Sequence, residues 1–98
     1  MAHGGHGCIS VTSNVAPRLC ADFQNACLRG DFAAALKLQD KLARLHIDLF
    51  CETSPAPIKY ALSLLGKFAN TVRLPMVPAT ERAQGLVREA MVHARLIN

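Results

Sequence analysis

Residues able to do chemistry gather at the amino end. His3, His6 and Cys8 combine imidazole with thiol, a donor set that suits zinc or copper. Met1-Ala2-His3 would add a terminal amine and an imidazole for Cu(II) or Ni(II), if Met1 is the amino terminus. No second cluster supplies the remaining ligands of a closed site, so the assignment is no metal. The Gly4-Gly5-His6-Gly7 run could cradle a phosphate, but such glycines sit between a strand and the following helix, and these precede the expected strand. A tight turn leading the chain into a crowded interior explains them better. His46 and His93 fall on predicted helices with no partner at metal spacing. Glu52 and Lys59 flank a proline-rich segment and read as loop anchors, through caps or ion pairs, rather than as a catalytic pair. No Ser-His-Asp order, no CxxC and no paired carboxylates occur, so no catalytic residue is assigned.

The elements that position these residues follow from periodicity. Cys8-Ile9-Ser10-Val11-Thr12 is a β-branched run that predicts one strand, and nothing of comparable strand character follows to pair with it. Pro17 through Leu28 carries Leu19, Cys20, Phe23, Ala26 and Cys27 at helical spacing, and Gly30 stops it. Asp31 caps a longer helix with Phe32, Ala35, Leu38, Leu42, Leu45 and Leu49 on its apolar stripe. So short a connection makes the two helices an antiparallel hairpin. Pro55 and Pro57 break the pattern, and helix resumes at about Pro57, with Ile58, Ala61, Leu62 and Leu65 facing inward up to Gly66. Residues 67 to 79 are extended, because Pro75 and Pro78 forbid helix there. Thr80 caps a last helix to about Arg95, burying Leu86, Val87, Ala90, Met91 and Ala94; Gly85 weakens it by roughly 1 kcal/mol.

Composition sets the outer bounds. Ninety-eight residues, 51% of them hydrophobic, make one modest core and argue against disorder. The net charge of +4 is scattered along the helices with one Tyr and four Phe, which excludes a nucleic-acid stripe. No apolar run reaches a membrane span. Cysteines at 8, 20, 27 and 51 fit no disulfide framework, so a reducing, cytoplasmic setting is expected, with Cys20 and Cys27 as small buried hydrophobes.

The stretch GGHGCISVTSNVAPRLC resembles the eighth strand and following helix of the dihydrodipicolinate synthase family. The resemblance continues through GDFAAALKLQDKLARLHIDLFCETSPAPIKYAL, with its E-x-x-P-x-P-x-K segment, and through VRLPMVP to the final HARLIN. Thr53 and Ser54 are mild departures, standing where proline and asparagine are common in the family. The resemblance implies a (β/α)8 barrel with a helical carboxy-terminal domain. In that family a barrel lysine forms a Schiff base with pyruvate, and the enamine attacks L-aspartate 4-semialdehyde in the diaminopimelate route to lysine, with no cofactor. It places the catalytic lysine and tyrosine on earlier strands, outside this chain, and Lys59 in the helical domain. It also implies that the Ile9 backbone lines the pyruvate pocket, with Gly4, Gly5 and Gly7 leading into the strand. A barrel takes roughly 200 to 250 residues. The expected architecture is therefore mainly α with one amino-terminal strand: residues 1–29 as the last βα unit of an incomplete barrel and 30–98 as the helical domain. Such a fragment is expected to be inactive alone, and to self-associate or form a homo-oligomer, tetrameric as is typical of the family. Two other readings compete: a free-standing helical interaction module and a small metal-binding protein.

Overall fold

The computed structural model describes residues 1–98 and contains four α-helices: α1 (Pro17–Leu28), α2 (Phe32–Asp48), α3 (Ala56–Leu64) and α4 (Glu81–His93). A short 3-10 turn, Thr12–Asn14, precedes α1. No strand forms, which corrects the expected architecture of a strand followed by helices. Residues 5–10 carry no regular structure, and Thr12, expected at the strand's end, begins the 3-10 turn. The reason is physical. A strand exists through hydrogen bonds to a neighbour, and this chain has no second extended segment beside the first.

Each helix starts and stops where local chemistry requires. Pro17 opens α1, where its missing N–H costs nothing. Asp31 accepts a hydrogen bond from the Ala34 N–H at 3.1 Å, and Thr80 accepts one from Ala83 at 3.3 Å, capping α2 and α4. Gly30, at φ +75°, closes α1 with paired bonds from Gly30 N to Cys27 O (3.0 Å) and Asp31 N to Ala26 O (2.9 Å). α4 ends with the same pattern, Arg95 N to Val92 O and Leu96 N to Met91 O, but there the left-handed residue is Arg95 at φ 60°. A side chain in that conformation carries strain of about 1 kcal/mol.

The main core gathers Leu42 and Leu45 of α2 with Leu49 at its C-cap, Ile58 and Ala61 of α3, Val87, Ala90 and Met91 of α4, and Val15 and Ala16 from the turn before α1. A second contact, Ala26 and Cys27 against Ala35, seals α1 to α2 as the antiparallel hairpin. The α2 stripe differs from expectation at one end: Phe32 is 49% exposed. Leu36 and Ile47 of the same helix, and Phe50 just beyond its end, are also exposed. Leu86 is only half-buried, beside the fully buried Val87. No helix is long and apolar enough to cross a membrane.

Leu45→Ala should lower unfolding free energy by about 2–5 kcal/mol in urea titrations, whereas Leu36→Ala should stay within about 0.5 kcal/mol. Arg95→Gly should raise it by up to about 1 kcal/mol in the same assay, because glycine relieves the left-handed strain.

Candidate functional site

The amino-terminal segment lies along α1 and α2 and forms with them an open pocket of about 460 Å³. Its polar wall is made by Cys8, Ser10, Ser13, Cys20, Gln24 and His46. The segment is held in two places. Ser13 donates its backbone N–H to Ser10 Oγ at 3.1 Å and its hydroxyl to the Ser10 carbonyl at 2.8 Å. Thr12, almost wholly buried, has its Oγ1 2.8 Å from His46 Nδ1, joining the 3-10 turn to α2 across 34 residues of sequence. Burial pushes the His46 imidazole below its ordinary value. Burial also pushes the Cys20 thiol up; a Ser10 hydrogen bond opposes this and the neighbouring Cys8 adds to it. The Gln24 side-chain oxygen is buried without a partner.

At the other end of the molecule Glu52 organises the start of α4. Its two carboxylate oxygens accept from the Thr80 N–H at 3.0 Å and the Thr80 hydroxyl at 2.6 Å. Those bonds, the hydroxyl first, hold the Glu52 carboxyl below its ordinary value. Thr80 in turn caps α4, so Glu52 anchors the loop as its sequence position suggests. Lys59 does not pair with it. The Lys59 ammonium instead sits 5.2 Å from the centre of the Phe68 ring.

The remaining candidates are not brought together. His3, His6 and Cys8 are exposed, and no three His, Cys, Asp or Glu side chains converge on a point where a metal could sit. Only Gly4 of the glycine run needs its glycine backbone, at φ +93° in a turn closed by Gly4 N to Met1 O at 2.9 Å. A Cβ on Gly7 would meet nothing, and one on Gly5 only the Met1 nitrogen at 3.7 Å, so no crowded interior surrounds them in this chain. Ile9 is fully exposed. Lys37, Lys41 and Lys67 are exposed and Lys59 is half-buried, so no amine lies in the desolvated pocket that would activate it as a nucleophile. His46 is the residue that sequence spacing missed, because its partner is 34 positions away and only the docking of the turn on α2 joins them.

The sequence profile of the Dihydrodipicolinate synthetase family matches residues 1–94. The 4-hydroxy-tetrahydrodipicolinate synthases of Afipia carboxidovorans and Bradyrhizobium diazoefficiens are each 69% identical over 98 residues, covering 100% of this chain and 33% of those proteins. Among solved structures, dihydrodipicolinate synthase from Thermotoga maritima superposes with a TM-score of 0.93 at 38% identity, over 98% of this chain and 32% of that one. A monomeric dihydrodipicolinate synthase variant superposes with a TM-score of 0.94, also at 38% identity and with the same coverage. The chain thus spans about a third of the length of the relatives it matches.

His46 makes stability pH-dependent in a definite direction. Its folded value lies below the unfolded value of about 6.5, so the unfolded chain takes up the proton first as pH falls. The contribution is full above about pH 6.5 and is lost as pH drops from there through the folded value. Glu52 acts with the same sign in the more acidic carboxylate range. Urea midpoints for the parent chain should therefore fall between about pH 7.5 and about pH 5.5, and His46→Gln should flatten that slope.

Proposed function

The chain belongs to the dihydrodipicolinate synthetase family, and on that premise we propose that it supplies the carboxy-terminal third of a 4-hydroxy-tetrahydrodipicolinate synthase. The observation that carries this reading is the match itself, 69% identity held over every residue of the chain. The complete enzyme condenses pyruvate with L-aspartate 4-semialdehyde through a lysine Schiff base, a lyase step toward diaminopimelate and lysine. A protonated imine serves as the electron sink for that carbon–carbon bond, which is why an amine is needed.

In this reading residues 1–29 belong with the barrel and residues 30–98 form the helical carboxy-terminal domain. The Ile9 backbone borders the pyruvate pocket, and Gly4, Gly5 and Gly7 leave room for neighbouring chain that these residues alone do not provide. The full exposure of Ile9 and the unpaired backbone around it support that assignment, since both are surfaces awaiting cover. The Schiff-base lysine and its proton-relaying tyrosine lie in the other two thirds. Three exposed lysines, Lys37, Lys41 and Lys67, and Lys59 stacked on the Phe68 ring support the view that this chain is inactive by itself. The complete enzyme assembles as a homo-oligomer in the cytoplasm, a setting that four free cysteines suit.

Two measurements test this. A chimera carrying these 98 residues in place of the matched third of the Afipia carboxidovorans enzyme should keep kcat/KM within about tenfold, or about 1.4 kcal/mol. A folded chimera without activity would refute the assignment. Borohydride reduction of the 98-residue chain with labelled pyruvate should leave it unlabelled; an adduct on Lys37, Lys41, Lys59 or Lys67 would overturn the claim of inactivity.

A further inference from the structure

His46 stands on α2 between Leu45 and Leu49, both wholly buried, so the main core fixes its backbone. From there its Nδ1 lies 2.8 Å from Thr12 Oγ1. Either tautomer serves, since a hydroxyl donates to a bare Nδ1 or accepts from Nδ1–H. Thr12 is only 2% exposed, and without its partner it would hold a buried, unsatisfied hydroxyl. The restraint continues toward Ile9. Ser13, beside Thr12, holds Ser10 twice, donating its N–H to Ser10 Oγ at 3.1 Å and its hydroxyl to the Ser10 carbonyl at 2.8 Å. The Ser10 N–H and the Ile9 carbonyl share one rigid peptide plane, so restraining Ser10 restrains the direction of that carbonyl. Within the unit no backbone N–H donates to the Ile9 carbonyl, which leaves this brace to orient it from the helical side. The superposition on the Thermotoga maritima chain covers 98% of these residues, so the seat of the turn on α2 is one that a chain about three times as long also holds.

We propose that Thr12 and His46 are positioning residues for pyruvate, their bond setting the Ile9 carbonyl at the border of the keto-acid pocket, a role that rests on the assignment of the Ile9 backbone to that pocket. Neither side chain touches the substrate. Loss of the bond lets the turn shift on α2 and carries the carbonyl with it, which weakens the capture of free pyruvate. Once the imine has formed, pyruvate is held covalently, and the attack on the semialdehyde depends less on that carbonyl. Glu52 and Thr80 tie a loop to α4 by bonds of similar length, 3.0 and 2.6 Å, but no chain of contacts leads from them to Ile9. They supply the comparison that separates positioning from stability.

The test uses the chimera of these 98 residues with the remainder of the Afipia carboxidovorans enzyme, with kcat counted per site labelled by pyruvate and borohydride. Counting per site removes any unfolded fraction. Thr12→Val and His46→Leu, on separate elements, should each raise KM for pyruvate about tenfold, while kcat per site and KM for the semialdehyde stay within about twofold. Thr12→Ser restores the hydroxyl and should return KM for pyruvate to within about twofold of the parent. The double variant should also show about tenfold, since both substitutions remove the same bond. Glu52→Gln should leave KM for pyruvate unchanged. An active parent chimera whose Thr12→Val and His46→Leu variants keep the parent KM for pyruvate overturns the proposal alone. So do equal shifts for both substrates, an equal effect of Glu52→Gln, or single effects that multiply in the double variant. A folded parent chimera without activity overturns the family assignment and this proposal together.

Discussion

Burial of one face of α2 is the constraint on which the other elements depend. Leu42, Leu45 and Leu49 are completely excluded from water, and each contributes roughly 1.5–3 kcal/mol by leaving it. They do so within a cluster shared with α4 through Val87, Ala90 and Met91 and with the turn through Val15 and Ala16, while α3 adds Ile58 and Ala61 by packing on α4 and the turn. Further toward its start the same helix receives α1 at Ala35, where small residues on both sides allow close approach. α2 is therefore the wall that receives both α1 and α4, with α3 set against α4. The two ends that carry polar chemistry, Thr12 with His46 and Glu52 with Thr80, tie neighbouring elements together.

What the chain leaves exposed is as informative as what it buries. Ile9, Leu36, Ile47, Leu74 and Val77 are large apolar side chains well out in solvent, in addition to the half-exposed Phe32, Phe50 and Phe68. Scattered surface apolar groups are ordinary, but here they accompany a segment whose backbone donors have no internal partners. Both features agree with a unit that spans about a third of its relatives. The polar contacts within the unit, Thr12 with His46 and Glu52 with Thr80, act as caps and anchors.

Helix boundaries were legible because their signals are local. Pro17, Asp31 and Thr80 sit at helix starts and Gly30 and Gly66 just beyond helix ends, and each acts within four residues of its own position. The strand was not legible in the same way, since a β-branched run signals only readiness to pair. Without a neighbour, Cys8 to Val11 remains irregular and Thr12 turns into a 3-10 element. The exposure of Phe32 shows a related limit: periodicity places a residue on a face, but the extent of the neighbouring helix decides whether that face is covered.

The residues of the candidate site divide along the same line. Family membership, the helical order and the loop-anchoring role of Glu52 were readable from the chain, because motif spacing and caps are properties of contiguous sequence. The Thr12–His46 bond, the shared pocket of Cys8 and Cys20, and the separation of Lys59 from Glu52 were decided only by tertiary structure. Those relations depend on how the amino-terminal segment and α3 settle on the rest of the fold, and distances across a packed interface are not encoded in the spacing of residues along the chain.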